Sequence, residues 1–509
     1  MYIRGLVPRL LGAAVVLFCG TSAPVVAQSG QPAPAGQAAQ APPTAEHAGH
    51  DMGAMTRDGS GTAWLPDSSP MYALHGQKGP WMLMAHESLF VQYLYESGSR
   101  GGDQFGSINW IMGMAGRNVG AGHVQFRGMF SVEPWTIRGC GYPDLLASGE
   151  QCDGEKIHDR QHPHDLAMEI AVEYDAPLTG GVRWQVYGGP AGEPALGPVA
   201  YPHRVSAMPN PLAPITHHWL DSTHVSFGVV TGGIFGRRWK AETSVFNGRE
   251  PDEQRTDFDF GALDSLSGRF WFLPTARLAF QVSAGRLAEA EAGDEGGART
   301  DVTKVTASGT YHAPVRANGI WASTVAWGRN GEGDHATNAL LLETAVTIAD
   351  RDTWFGRFEV AGKTAHDLDV ESATKAFTVF KLQGGYTRYL PAWHRLKPGL
   401  GATLSVSVVP PELQTAYGGR TNLGAGVFMT LRPGASPAGA AAPSAGAGRT
   451  MTMVMVATDP TRLACPMPVD VTTASKTIYQ GTTYYFCSDQ DRDDFLKDPA
   501  MNVAMMPKP

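Results

Sequence analysis

Apolar and polar residues alternate along most of this chain in stretches of about ten, the period-two signature of β-strands. In "HDLAMEIAVEYD", Leu166, Met168, Ile170, Val172 and Tyr174 point one way, and Asp165, Glu169, Glu173 and Asp175 point the other. In "HVQFRGMFSVE", Val124, Phe126, Phe130 and Val132 oppose Gln125, Arg127 and Glu133. In "WKAETSVFN", Trp239, Ala241 and Val245 oppose Lys240, Glu242 and Ser244. A β-sandwich would bury an apolar inner face. Charges gathered on one face suit a barrel with lipid outside and water inside. The pattern predicts sixteen strands, starting near 81, 104, 121, 165, 181, 223, 238, 260, 276, 300, 318, 337, 353, 375, 397 and 421.

The links between these strands alternate in length. Short turns such as "RNVGA", "APLTG", "FGRR", "LPTA" and "ADRDT" alternate with longer stretches at 137–163, 191–222, 249–259, 289–299 and 364–374. Short periplasmic turns and long outer loops are the rule for outer-membrane barrels. The expected architecture is therefore an all-β transmembrane barrel followed by a small α+β C-terminal domain. The order of short and long links, and the even strand count, both place the two termini in the periplasm of a Gram-negative cell.

The flanks read differently. Arg4 and Arg9 flank the apolar run "LLGAAVVLF", and "PVVA" sets small residues before Gln28, so residues 1–27 read as a signal peptide. Residues 28–63 are rich in Ala, Pro, Gln and Gly and read as a disordered arm. The barrel is expected over 64–432, an Ala/Gly/Pro linker over 433–450 and the C-terminal domain over 451–509. No later run of apolar residues is long enough for a transmembrane helix.

Composition fits this picture. Charged residues make up 17% of the chain, below the roughly 25% usual in soluble proteins, and glycine is abundant. A net charge of −8 without a dense Lys/Arg patch argues against nucleic acid as a partner. No phosphate loop, zinc-protease motif or dinucleotide fingerprint is present. Ser222 lies close to His224, but no oxyanion-hole signature accompanies the pair, and no enzymatic activity is expected. Of five cysteines, Cys19 falls in the signal peptide. Cys140 and Cys152 share one polar loop and are expected to form a disulfide in an oxidising compartment. A loop of that size contributes about 3 kcal/mol in the chain-entropy picture.

Three groups of residues carry metal chemistry. His47, His50, Met52 and Met55 lie together in "EHAGHDMGAM" on the N-terminal arm. Imidazole suits Cu(II) and thioether suits Cu(I), although a disordered tail can hold such a cluster by chance. Seven of the nineteen methionines fall beyond residue 450, at Met451, Met453, Met455, Met467, Met501, Met505 and Met506. The third group comprises His158, His162, His164, His203, His217, His218 and His224, in or beside the two longest outer loops. Loops of this kind fold into the lumen. Their histidines either hold or pass a divalent cation, helped by Asp159, Asp165, Glu169 and Asp221, or belong to a hydrogen-bonded network that shapes the constriction.

Two resemblances add a setting. "DRQHPHDLAMEIA", "GGPAGEPALGPVAYPHR", "HHWLDSTHVSFGVVTGGI" and "FNGREPDE" resemble a family of Gram-negative outer-membrane barrels that accompany heavy-metal, especially copper, resistance genes. The family has no assigned chemistry.

The C-terminal stretch resembles the YHS domain, a small metal-associated module. The match runs through Cys465, Met467, Val469 and Asp470, then Tyr479, Gly481, Tyr484, Tyr485, Phe486, Cys487 and Ser488, and closes with Phe495, Asp498 and Pro499. Pro466 stands where the family has glycine, and Asp491 where it often has a further cysteine. By this resemblance Cys465 and Cys487, with Met467 or Asp491, bind a metal ion. Alternatively the two cysteines pair with each other, or the module is only structural. The function implied is copper or other heavy-metal handling at the outer membrane. The expected partners are a metal ion, outer-membrane lipid and periplasmic metal carriers. The other reading is a general small-solute porin with a structural YHS-like domain.

Overall fold

The computed structural model describes residues 57–436, except 154, 292–298, 317–318, 334 and 373–375, and in the C-terminal region 475–479, 482–486, 492, 495–497 and 499. Sixteen long strands close into one antiparallel barrel. The first half comprises β1 (Trp81–Glu96), β2 (Gly102–Val119), β3 (Gly122–Phe130), β4 (Ala167–Thr179), β5 (Val182–Ala191), β6 (Val229–Gly236), β7 (Trp239–Phe246) and β8 (Ser265–Thr275). The second comprises β9 (Leu278–Glu291), β10 (Thr300–Val315), β11 (Gly319–Glu332), β12 (His335–Ile348), β13 (Asp352–Thr364), β14 (Ala376–Tyr389), β15 (Leu396–Val408) and β16 (Thr421–Pro433). Each strand pairs with its sequence neighbour, and the ring closes where Gly424–Leu431 of β16 meets Leu89–Glu96 of β1. Closure leaves no unpaired edge, which a strand in hydrocarbon cannot tolerate.

The two faces differ as the alternation predicts. Val172, Val186, Ile234, Val245, Leu266, Val282, Leu342, Leu382, Leu404 and Val427 project outward and are exposed, forming an apolar belt. Near the short turns the belt ends in aromatic rings, with Tyr311 packed on Trp321 and Trp354 on Tyr386. Such girdles mark the membrane interface of outer-membrane barrels. The inner face carries Gln125, Arg127, Glu173, Lys240, Glu242, Arg269, Glu343, Arg357, Glu359 and Lys381, all buried.

Those inner residues are buried because the chain itself fills the lumen. Residues 192–227, a single long loop, are almost entirely buried. Backbone placed there must find hydrogen-bond partners away from water. The wall supplies them: Ser244 Oγ accepts from Ala195 N (2.7 Å), and Ser283 Oγ from Gly197 N (2.9 Å). Arg357 donates to the Leu212 carbonyl (2.8 Å), and Glu359 accepts from Thr216 N (3.0 Å). Arg204 at the centre pairs with Asp221 of the loop (2.9 Å) and Glu343 of β12. A second loop adds the hairpin of Tyr142–Cys152 and Glu155–Gln161, held by Lys381 against Asp144 and by Lys363 Nζ on Ser148 Oγ (2.7 Å). A disulfide joins Cys140, just before the hairpin, to Cys152 beside its turn.

Residues 57–63, expected from sequence to belong to the arm, also enter the lumen. Arg127 donates to the Gly61 carbonyl (2.7 Å), Lys240 to the Thr62 carbonyl, and Trp64 packs edge-on against Phe235 (5.7 Å). Two strand starts also move: β6 begins at Val229 and not near 223, and β8 at Ser265 and not near 260. Ser222–His224 is instead a 3-10 turn of the plugging loop. Met168, expected to face lipid, is buried inside, because the β3–β4 register shifts between Met129 and Phe130.

In the C-terminal region, Ser475–Tyr479 pairs antiparallel with Thr482–Phe486, and Tyr479 packs against the buried Phe495 (6.3 Å).

Candidate metal centre

The two plugging loops bring together histidines far apart in sequence. His162 follows the hairpin in the first loop, and His217 and His218 open a one-turn helix (His217–Leu220) in the second. That helix is held to the wall. Trp219 Nε1 donates to Thr337 Oγ1 (2.9 Å), while Lys304 (2.8 Å) and Asn330 (3.0 Å) both donate to the His218 carbonyl. One ring nitrogen from each of His162, His217 and His218 lies within 4.8 Å of the others, and all three residues are buried.

Each ring has an oxygen acceptor at its Nδ1. The His162 Nδ1 bonds the Pro163 carbonyl (3.2 Å) with the Glu150 carboxyl 3.1 Å away, Asp221 lies 2.8 Å from His217, and Glu250 lies 3.1 Å from His218. A carboxylate or carbonyl accepting from Nδ1 selects the tautomer whose Nε2 lone pair is free, the arrangement that backs metal-bound imidazoles. The buried Nε2 atoms of His162 and His218 have no hydrogen-bond partner among the described residues. Burial also keeps two of the rings neutral: it pushes His217 down to about 4 and His162 well below the usual imidazole range. Neutral imidazole is the ligating form. The His218 ring sits over Gly149, whose φ is +121°, and a Cβ there would collide with it. Beside Glu250, a cavity of about 230 Å³ is lined by Glu150, Glu250, Asp252 and Glu253, with Arg299.

The remaining sequence candidates divide. His224 is 5.1 Å from His217 between ring centroids, its Nδ1 donating to the Asp221 carbonyl (2.8 Å). His164 has both nitrogens committed, to Glu133 (3.0 Å) and to the Tyr201 hydroxyl (3.1 Å). His158 stands apart, between Arg100, Asp159 and Asp369. Asp165 faces Arg255 (3.6 Å) in the loops, and Glu169 faces Arg127 (3.1 Å) and the Tyr187 hydroxyl (2.7 Å) along the barrel wall, so both are taken up in ion pairs. Glu150 and Glu250 went unnoticed in the sequence, where nothing sets them apart from other loop acids. Cys465, Met467, Cys487 and Asp491, like His47, His50, Met52 and Met55, lie outside the described residues.

Residues 458–503 match the YHS domain. Among solved structures, the barrel is similar to the anion-selective porin from Comamonas acidovorans, at 10% identity and a TM-score of 0.43, covering 69% of this chain and 99% of that one. It is also similar to Salmonella typhi OmpF in complex with daunomycin, at 9% identity and a TM-score of 0.45, covering 70% and 100%. A third is Acinetobacter baumannii OccAB1, at 12% identity and a TM-score of 0.36, covering 69% and 96%. No curated protein matches the chain. The strand register and the two contrasting faces carry the assignment on their own: this is an outer-membrane-type barrel, porin-like in strand number, with a YHS domain.

The lumen differs from an open pore. Cavities between plug and wall measure about 20, 20 and 10 Å³. A space of that size holds about one water.

Proposed function

We propose that this protein handles transition-metal ions, copper or another heavy metal, at the outer membrane of a Gram-negative bacterium. Both termini, and with them the YHS domain, face the periplasm. The observation that carries this reading is the set of three buried imidazoles, His162, His217 and His218, each with an oxygen acceptor at Nδ1: the Pro163 carbonyl, Asp221 and Glu250. Three imidazoles with an open fourth position suit Zn(II) or Cu(II) and do not suit Mg(II) or Ca(II), which prefer oxygen. The acidic cavity beside Glu250 would gather cations at the loop end. A filled lumen supports a gated or binding role over free solute diffusion. The YHS domain would receive or deliver metal on the periplasmic side, together with soluble carriers.

The test is metal uptake by the full-length protein in detergent, after dialysis against Zn(II) or Cu(II), with metal counted by mass spectrometry. Cys465→Ser/Cys487→Ser removes the contribution of the YHS domain. In that background, His162→Ala or His217→Ala should each lower the bound metal by one equivalent, with the barrel still folded by its heat-modifiable gel mobility. Equal uptake with and without these histidines would exclude the plug as a metal centre.

A further inference from the structure

Seven of the nineteen methionines lie between Met71 and Met168. Six of them gather in one patch of the lumen: Met84, Met112, Met114, Met129 and Met168 are buried there, with Met71 against them. Strand register explains the gathering. His86 of β1 stands directly opposite Met112 of β2, which stands directly opposite Met129 of β3. Directly paired residues on one face are about 5 Å apart at Cβ. The plugging loop lays His203 across this row. His86 Nε2 is 3.1 Å from Met112 Sδ, and His203 Nε2 is 3.4 Å from Met129 Sδ. The two imidazole rings are 5.5 Å apart, and Trp110 packs against both, at 5.3 and 4.7 Å.

We propose that His86, Met112, Met129 and His203 form a site for a soft monovalent cation, Cu(I) or Ag(I), at the seam between barrel wall and plug. Thioether and neutral imidazole are the donors that select Cu(I) from harder ions. Tetrahedral ligands about 2.0–2.3 Å from a metal lie about 3.5 Å from one another, close to the two nitrogen–sulfur separations seen. In the tautomer protonated at Nε2 each contact is an N–H···S hydrogen bond; in the other, two lone pairs face each other and a cation between them would hold them there. Met84, Met114 and Met168 add further thioethers around the four. The site shares no ligand with the three-histidine centre and stands or falls separately from it.

Ag(I) serves as the redox-inert probe. Full-length protein carrying ¹³C-methyl methionine is titrated with Ag(I) in detergent, and each methionine methyl resonance is assigned by its Met→Leu variant. Met→Leu nearly conserves volume and usually costs less than about 1.5 kcal/mol, so the barrel should fold. Gel mobility checks that it does. The expected result is saturable movement of the Met112 and Met129 resonances at one equivalent, lost in His203→Ala and kept in His217→Ala. Zn(II) uptake should be unchanged in Met112→Leu/Met129→Leu. If Ag(I) moves only methionines outside the barrel, while Met112 and Met129 stay put, these side chains merely fill space and the proposal is wrong.

Discussion

Arg204 is the bolt that keeps the plug in place, and removing its charge should let the barrel open. Its side chain is fully buried, donating to Asp221 (2.9 Å), to the Val199 carbonyl (2.7 Å) and to Glu343 across the lumen. Arg204→Met keeps the volume of the stem and removes the charge. Asp221 is then left with His217 and the Tyr201 amide, while Glu343 keeps Arg357 (3.2 Å) and Ser206 (2.8 Å). Removing one partner of a buried ion pair costs about 3–5 kcal/mol. The partners that remain to both carboxylates place this case near the lower end, about 3 kcal/mol. At about 1.4 kcal/mol per factor of ten, the population with a displaced plug should rise on the order of a hundredfold. Planar-bilayer recording reads this directly. The wild type should be silent apart from rare brief openings, because the spaces described between plug and wall hold about one water each. Arg204→Met should open far more often at the same unitary conductance. Arg286→Met, which breaks an exposed pair with Asp301, should behave as wild type. Steady conductance from the wild type, or an Arg204→Met channel as silent as its parent, would refute the argument.

Three further outcomes are expected. Glu250→Gln should weaken Zn(II) binding at the three histidines by about 10–100-fold, as loss of an orienting carboxylate does elsewhere, in competition titrations with a chromophoric chelator. Gly149→Ala should also abolish that binding without removing a ligand, since the new methyl displaces the His218 ring; unchanged affinity would show that the ring is not where it matters. Burial, then His217 and His164, hold His224 down to about 3. It stays neutral in the docked plug and charges in the released chain below about 6.5, so acid favours release. Docking should therefore weaken as pH falls from about 6.5 toward 3, by up to about 1.4 kcal/mol per pH unit from this residue. The opening rate of His224→Gln should depend less steeply on pH than that of the wild type, and an unchanged slope would remove His224 from the account.

Much of the barrel was legible in the sequence because a strand needs only its own alternation to say which residues face lipid. Lys240, Glu242 and Ser244 against Trp239 and Val245 already define the wall of β7. Loop lengths, a local property too, separated the two ends. Met168 shows the limit: one register shift, set by pairing with β3 and invisible in β4 alone, turned it from the lipid face into the lumen. The metal chemistry was legible only as composition. Seven histidines in two loops promised a site, but the choice of His162, His217 and His218 followed from two loops docking on one wall, with Glu150 and Glu250 arriving from segments far apart in sequence. His86, Met112, Met129 and His203 were hidden more deeply. On a strand, methionine reads as ordinary apolar filler, and its sulfur becomes a ligand only when cross-strand register and a folded-in loop set two imidazoles beside it. Alternation is written residue by residue, whereas convergence of side chains requires the closed ring and its plug, which exist only in three dimensions.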